Sequence, residues 1–78
     1  MVLDDRHIAF LEQVRDEAVF FHLSQYWGPT GLCFDQMAAT MMSRIGAIHY
    51  IIDEFRMVRV ALTPLGENFL LEEYEAWA

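Results

Sequence analysis

The chain has 78 residues, of which 55% are hydrophobic and 14% aromatic, and its formal net charge is −7. This length predicts a single domain over residues 1–78 with a small core, and so much apolar surface predicts a homodimer or a docked protein partner. The acidic balance disfavours non-specific binding to nucleic acid. One cysteine, an acidic opening segment and no long apolar run predict a cytoplasmic protein that does not enter a membrane.

The first predicted element is one long helix over residues 4–27, because nothing in that stretch breaks a helix. Asp4 or Asp5 can cap its first amides. At about 1.5 Å per residue such a helix reaches about 35 Å, which leaves apolar surface near its end for a partner. Apolar residues recur at helical intervals at Ile8, Leu11, Val14, Ala18 and Phe21.

Residues 28–31, with the sequence GPTG, predict a sharp turn, since Gly permits a positive φ and Pro fixes φ. Leu32 and Cys33 then follow as a short extended stub. Residues 34–41 predict a short helix, in which Met37 and Met41 lie one turn apart on the inner side.

Residues 43–55 predict a third helix. Ser43 can accept a hydrogen bond from a free amide in its first turn. A stripe at spacings of three and four indicates its buried side: Ile45, Ile48, Ile52 and Phe55.

Two further signals follow this helix. The β-branched run Val58–Leu62 predicts one short strand, and Thr63 followed by Pro64 predicts the start of a last helix. The predicted fold class is therefore mostly α with a minimal β element. It has a long N-terminal helix, a helix-turn-helix and a C-terminal helix.

Residues 31–70 resemble the winged helix-turn-helix family of DNA-binding regulators. GLCFDQMAATM looks like the strand and first helix of the motif, SRIGAIHYIIDEF looks like its recognition helix, and DEFRMVRVALTPLGENFL is similar to the exit through a strand into LTPLG. Two departures concern the end of the recognition helix. Arg56 stands where the family commonly has Gly. The residues that follow are too few for two strands, so the wing is reduced or missing, or its one strand pairs instead with Leu32 and Cys33.

The resemblance implies a small transcriptional regulator that places helix 43–55 in the major groove of double-stranded DNA, as a dimer. Arg44, Ala47 and Tyr50 would then meet base edges, and Ser43 and Arg59 would contact phosphates. The alternative is that Arg44 and Arg59 are ordinary solvated charges.

A second hypothesis comes from the missing wing and the net charge of −7, which is concentrated at the ends of the chain as −3 over residues 1–30 and −4 over residues 63–78. It describes an acidic protein-interaction module, such as a phage-type inhibitor or an adaptor, that keeps the scaffold and does not bind DNA. The predicted partner or dimer surface consists of aromatic residues: Phe20, Phe21, Tyr26, Trp27, Tyr74 and Trp77.

No motif indicates an enzyme, since the sequence has no Gly-rich phosphate loop, nucleophile elbow or catalytic triad. Cys33 and the three histidines His7, His22 and His49 show no metal-ligand spacing. We therefore expect no catalytic residues, no metal and no cofactor.

Overall fold

The computed structural model describes residues 3–33 and 35–77, apart from the side chains of residues 76 and 77. Five strands form one antiparallel sheet with the order β3-β2-β1-β5-β4. The expected fold class, mostly α with a minimal β element, is therefore wrong, and the fold mixes α and β structure. The elements in chain order are α1 (Asp5–Arg15), β1 (Phe20–His22), β2 (Gln25–Gly28), β3 (Gly31–Leu32), α2 (Gln36–Arg44), β4 (Ile48–Ile52), β5 (Val58–Leu62) and α3 (Pro64–Trp77).

The first helix begins as expected and ends much earlier than residue 27. Asp4 caps it by accepting hydrogen bonds from the amides of Arg6 and His7. At the other end the Ala18 amide donates to the carbonyl of Gln13 at 3.1 Å, across a Glu17 residue with φ of 60°. This is the Schellman motif at the end of a helix, in which glycine usually occupies the left-handed position. Glu17 occupies this position instead, so the sequence has no glycine there to indicate the end of the helix.

The segment predicted as the second half of that helix is a β-hairpin. His22 pairs with Gln25, so β1 and β2 are joined by the two residues Leu23 and Ser24. Both have positive φ, 52° and 61°, which a tight two-residue turn between twisted strands requires. Asn-Gly is the usual sequence of such a turn. Leu-Ser is not a usual sequence for such a turn. The helical spacing of the apolar residues therefore predicted a helix here.

The predicted third helix over residues 43–55 is also wrong. Helix α2 ends at Arg44, and Gly46 follows with φ of 82°. The chain then reverses, and Ile48 to Ile52 pair along their full length with β5, from Ile48 opposite Leu62 to Ile52 opposite Val58. β-Branched side chains favour this pleated pairing over a helix. The expected buried stripe is divided by it, because Ile48 is buried while Ile52 and Phe55 are exposed.

Three sequence signals are confirmed: the turn at residues 29–30, the strand Val58–Leu62 and the last helix, which begins at Pro64. Thr63 caps that helix by accepting a hydrogen bond from the Gly66 amide at 3.3 Å, and its own hydroxyl donates to the Gly46 carbonyl at 2.5 Å. Helix α3 is thereby fixed to the turn before β4.

The core lies between the helices and one face of the sheet, where α1 packs against α2, α3 and β5. Its buried hydrophobic residues come from the three helices, from the strands and from the segments between them: Ile8, Phe10, Leu11, Val14, Val19, Tyr26, Ala39, Met42, Ala47, Ile48, Val60 and Leu70. None of the helices in the described part of the chain is long and apolar enough to cross a membrane.

Candidate functional site

Strand β4 forms one end of the sheet, and among the described residues its pairing partner is β5. The Thr63 amide donates to Ala47 at 3.1 Å, and the Asp53 amide donates to Met57 at 3.0 Å. In an antiparallel ladder such hydrogen-bonded pairs alternate with pairs whose main-chain groups point away from each other. Odd-numbered residues of β4 therefore bond to β5, while Ile48, Tyr50 and Ile52 direct their N–H and C=O groups to the open side.

The β5 side of the ladder supports this register. Tyr50 lies opposite Val60, and the Val60 amide donates to Val19 of β1 at 3.0 Å, away from β4. Of the three outward-facing residues, Ile48 is only 4% exposed and its groups are covered. The accessible part of the edge is therefore the stretch that contains Tyr50 and Ile52.

The two ends of the sheet differ in how they are protected. Strand β3 has two residues, and a strand that short offers little to pair with. Strand β4 has five, and its sequence IHYII contains no proline and no formally charged residue. Its pairing with β5 runs without a bulge. Proline, formal charge and a bulge, which proteins often use to protect a sheet edge, are therefore absent from these five residues.

Exposed apolar side chains surround this open edge. We call Tyr50, Ile51, Ile52, Phe55 and Met57 the hairpin patch; their exposed fractions are 42%, 42%, 74%, 75% and 43%. Scattered exposed hydrophobic residues are normal on protein surfaces. Here five of them lie between residues 50 and 57, on the two faces of one hairpin and beside an unpaired strand edge, a concentration that favours an interaction surface.

The loop that carries the patch is well ordered by hydrogen bonds. The Asp53 carboxylate accepts from the amides of Phe55 at 2.9 Å and Met57 at 3.0 Å, and the Asp53 carbonyl accepts from the Arg56 amide at 3.0 Å. Arg56 has φ of 61°. This is typical of three-residue hairpin loops, in which a turn is followed by one left-handed residue. Asp53 therefore holds the tip in one conformation.

Tyr50 anchors β4 to the inside of the domain. Its hydroxyl lies 2.6 Å from that of Tyr26 and 3.0 Å from Oγ of Ser43. Tyr26 belongs to β2, three strands away, a separation of about 14 Å in a flat sheet, yet the two ring centroids are 6.5 Å apart. The two side chains therefore meet across the strands that lie between them. Burial, together with the hydrogen bond to Tyr50, raises the pKa of Tyr26 to about 12.

Arg59 lies on the other face of the sheet and is held by acidic neighbours. Its guanidinium group is 3.7 Å from the Asp53 carboxylate and 3.8 Å from that of Glu17, and it lies over the Phe20 ring at 5.5 Å. The buried Nε of Arg59 has no hydrogen-bond partner among the described residues. This arginine therefore already has two carboxylates beside it.

The structure separates the residues predicted to contact DNA. Arg44 ends α2, Ala47 is fully buried in the following turn, and Tyr50 and Arg59 lie on neighbouring strands. Ser43 bonds to the Tyr50 hydroxyl. No helix presents these five side chains together, so the geometric basis for reading a major groove is missing, and DNA binding stays a prediction.

The predicted aromatic partner surface is also divided. Tyr26 is 4% exposed and packs in the core against Phe10 and Phe21, and Phe20 and Trp27 are half-buried on the opposite face of the sheet. Tyr74 is exposed and receives a hydrogen bond from Arg15. The side chain of Trp77 lies outside the described residues.

The cavities of the protein are less suited to binding a ligand than the open edge of β4. Five of the best-formed cavities among the described residues have volumes of about 130 to about 270 Å³, below the size usual for small-molecule sites. The smallest is lined in part by Cys33, where burial raises the pKa of the thiol. Within the described residues, no three His, Cys, Asp or Glu side chains are grouped to hold a metal ion.

Comparison with protein-family models, with curated proteins and with solved structures finds no match for this chain. The resemblance to the winged helix-turn-helix family is tested by none of them and stays a prediction. Sequence reasoning missed the hairpin patch, apart from Tyr50. The available signal was the pair of β-branched runs IHYII and VRVAL, separated by a loop that begins with Asp.

Proposed function

We propose that this chain is a protein-interaction module that binds an extended segment of a partner chain by adding it to the open edge of β4. The observation that carries the proposal is the five-residue, uncharged edge strand whose outward groups at Tyr50 and Ile52 have no partner among the described residues. Strand addition supplies affinity through main-chain hydrogen bonds and selectivity through alternate side chains. The hairpin patch provides those side-chain contacts.

The rigidity of the hairpin supports this role. The Asp53 loop and the Tyr26–Tyr50 hydroxyl pair hold β4 in an extended conformation before any partner arrives. A site that is already ordered loses less conformational entropy on binding. The incoming segment then bears most of the ordering cost.

A peptide selection tests the proposal. Displayed random peptides of about ten residues, long enough for one strand, are selected on the intact chain and then mapped by amide chemical shifts. We expect peptides that alternate apolar residues and that shift the amides of Tyr50 and Ile52. Peptides that map elsewhere, or the recovery of none, would contradict the proposal.

The matched variants are Ile52→Pro and Ile52→Val. The Ile52 amide points outward, so proline removes a donor that β5 does not use, whereas valine keeps both the donor and the β-branched shape. We expect Ile52→Pro to lose at least about tenfold in peptide affinity, the effect of about 1.4 kcal/mol, and Ile52→Val to bind nearly as the wild type does. Equal affinity of all three proteins would exclude main-chain pairing at this edge.

The same samples test the prediction of DNA binding. The net charge of −7 and the carboxylates beside Arg59 support the protein-interaction role over the DNA-binding one. We expect no anisotropy change with a labelled duplex at low salt. Duplex binding that is lost in Arg44→Ala and Arg59→Ala would instead support a DNA-binding regulator.

A further inference from the structure

We infer that the segment added to β4 is β4 of a second copy of this chain, paired antiparallel about a two-fold axis at Ile51. The inference rests on the proposed function, because it names the partner of the same edge. It also gives a structural form to the homodimer expected from the apolar composition.

The register follows from the direction of the main-chain groups. Two antiparallel strands bond through outward-facing residues, so the open Tyr50 and Ile52 of one copy must meet the open residues of the other. Placing Ile51 on the axis sets Tyr50 opposite Ile52 of the second copy, and Ile52 opposite Tyr50. These two pairs exchange about four hydrogen bonds. An axis at Tyr50 would require the covered Ile48 and is therefore disfavoured.

The side chains complement their own copies in this register. On one face the exposed Ile52 packs beside Tyr50 of the second copy, and on the other face the two Ile51 side chains meet across the axis. Cross-strand pairs of this kind, aromatic with β-branched, are among those that stabilise sheets. The most exposed residues of β4 thus gain apolar neighbours.

The charges also favour a second copy at this edge. Residues 48–52 carry no formal charge, so two copies of net charge −7 can approach here without like charges in the contact. His49, which is formally neutral, falls opposite Asp53 of the second copy, so the two-fold axis brings no like charges together at either of these positions. An isologous contact needs such self-complementarity, which an unrelated strand has no reason to provide.

Disulfide trapping tests the register. In a Cys33→Ser background, Ile51→Cys places two thiols on the axis with Cα atoms about 4.5 Å apart, within the range of disulfides. The matched control is His49→Cys, on the same face and also exposed, whose two copies lie about 14 Å apart. We expect an oxidised dimer of Ile51→Cys and none of His49→Cys. The reverse result would overturn the inference.

A second measurement uses the full chain without cysteine chemistry. Ile51→Lys places two ammonium groups at the axis, and Leu32→Lys places the same charge on the short β3 edge, where Leu32 is 50% exposed. By sedimentation velocity we expect Ile51→Lys to weaken dimerisation by at least about tenfold and Leu32→Lys to leave it within about twofold, since like charges that are directly opposed disfavour pairing. Equal dimerisation of the two variants would overturn the inference.

The outcomes separate the two proposals. A monomer that still binds selected peptides at β4 overturns the second copy as partner and leaves the interaction role standing. A monomer that binds no peptide overturns both. A dimer that tolerates Ile51→Lys forms through another surface, which also overturns the inference.

Discussion

The contact between α3 and the turn before β4 leads to a sharp prediction about Gly66. A Cβ added to Gly66 would lie 2.1 Å from the Ala47 carbonyl oxygen, whereas carbon and oxygen atoms normally approach to about 3.3 Å. In Gly66→Ala, helix α3 must therefore move by roughly 1 Å. The same carbonyl accepts the Thr63 amide at 3.1 Å, so the movement also weakens that hydrogen bond.

The expected cost combines three effects. Overpacking costs about 1–3 kcal/mol, a weakened hydrogen bond about 1 kcal/mol, and alanine in place of glycine returns about 1 kcal/mol of helix propensity. We expect Gly66→Ala to lower the free energy of unfolding by about 2 kcal/mol and the melting temperature by roughly 10 °C. Urea denaturation followed by circular dichroism measures this change.

Gly28→Ala is the matched control for this prediction. A Cβ at Gly28 would meet its nearest neighbours, Cys33 Sγ and Gln13 Oε1, at 3.5 Å, an ordinary contact. We expect its stability to stay within about 0.5 kcal/mol of the wild type. If Gly66→Ala were as stable as the wild type, the close approach of α3 to the turn would be refuted.

Three further changes test other parts of the structure. Arg56→Gly relieves a left-handed non-glycine residue and should raise the free energy of unfolding by up to about 1 kcal/mol, measured in urea; a loss would contradict the loop geometry. Leu11→Ala removes a fully buried side chain and should lower thermal stability by about 3 kcal/mol, so a cost below about 1 kcal/mol would place Leu11 outside the core. Because burial raises the pKa of Tyr26 to about 12 in the folded chain, against about 10 unfolded, its stabilising effect is complete below pH 10 and is lost as the pH rises through 12. Urea titrations from pH 9 to 12 should therefore show a steeper loss in the wild type than in Tyr26→Phe, and parallel curves would contradict a buried phenol.

The sequence predicted those elements whose boundaries are marked by residues with strong local preferences. Thr63 and Pro64 indicate the start of α3, and Gly28 and Pro29 indicate the turn into β3. The ends of α1 and of the hairpins could not be predicted in this way. Their left-handed positions are occupied by four residues other than glycine: Glu17, Leu23, Ser24 and Arg56. The glycines that usually indicate a helix end or a tight turn are therefore missing from the sequence at these positions.

The candidate site was harder to predict, because an edge is a property of the whole sheet. Tyr50 was singled out as a DNA contact, whereas its position beside an open edge depends on β1 pairing with β5 from nearly 40 residues away. Arg59 was expected to contact phosphate, and one of its two carboxylates comes from Glu17, equally distant in the chain. Ile45, Ile48, Ile52 and Phe55 fit a helical period, so only the pairing partner VRVAL could have revealed the strand.

The unequal edges of the sheet limit how far self-association can proceed. In the vocabulary of polymer chemistry, a molecule with two reactive ends grows without limit, and a molecule with one reactive end stops after a single coupling. Strand β3, with two residues, is a poor template for another strand, so the described part of each chain offers one extendable edge. Pairing of two β4 edges consumes both, and the resulting ten-stranded sheet ends in β3 at each side. In the dimer that we infer, growth would therefore end after one coupling, and an uncharged apolar edge strand would not lead to a fibre.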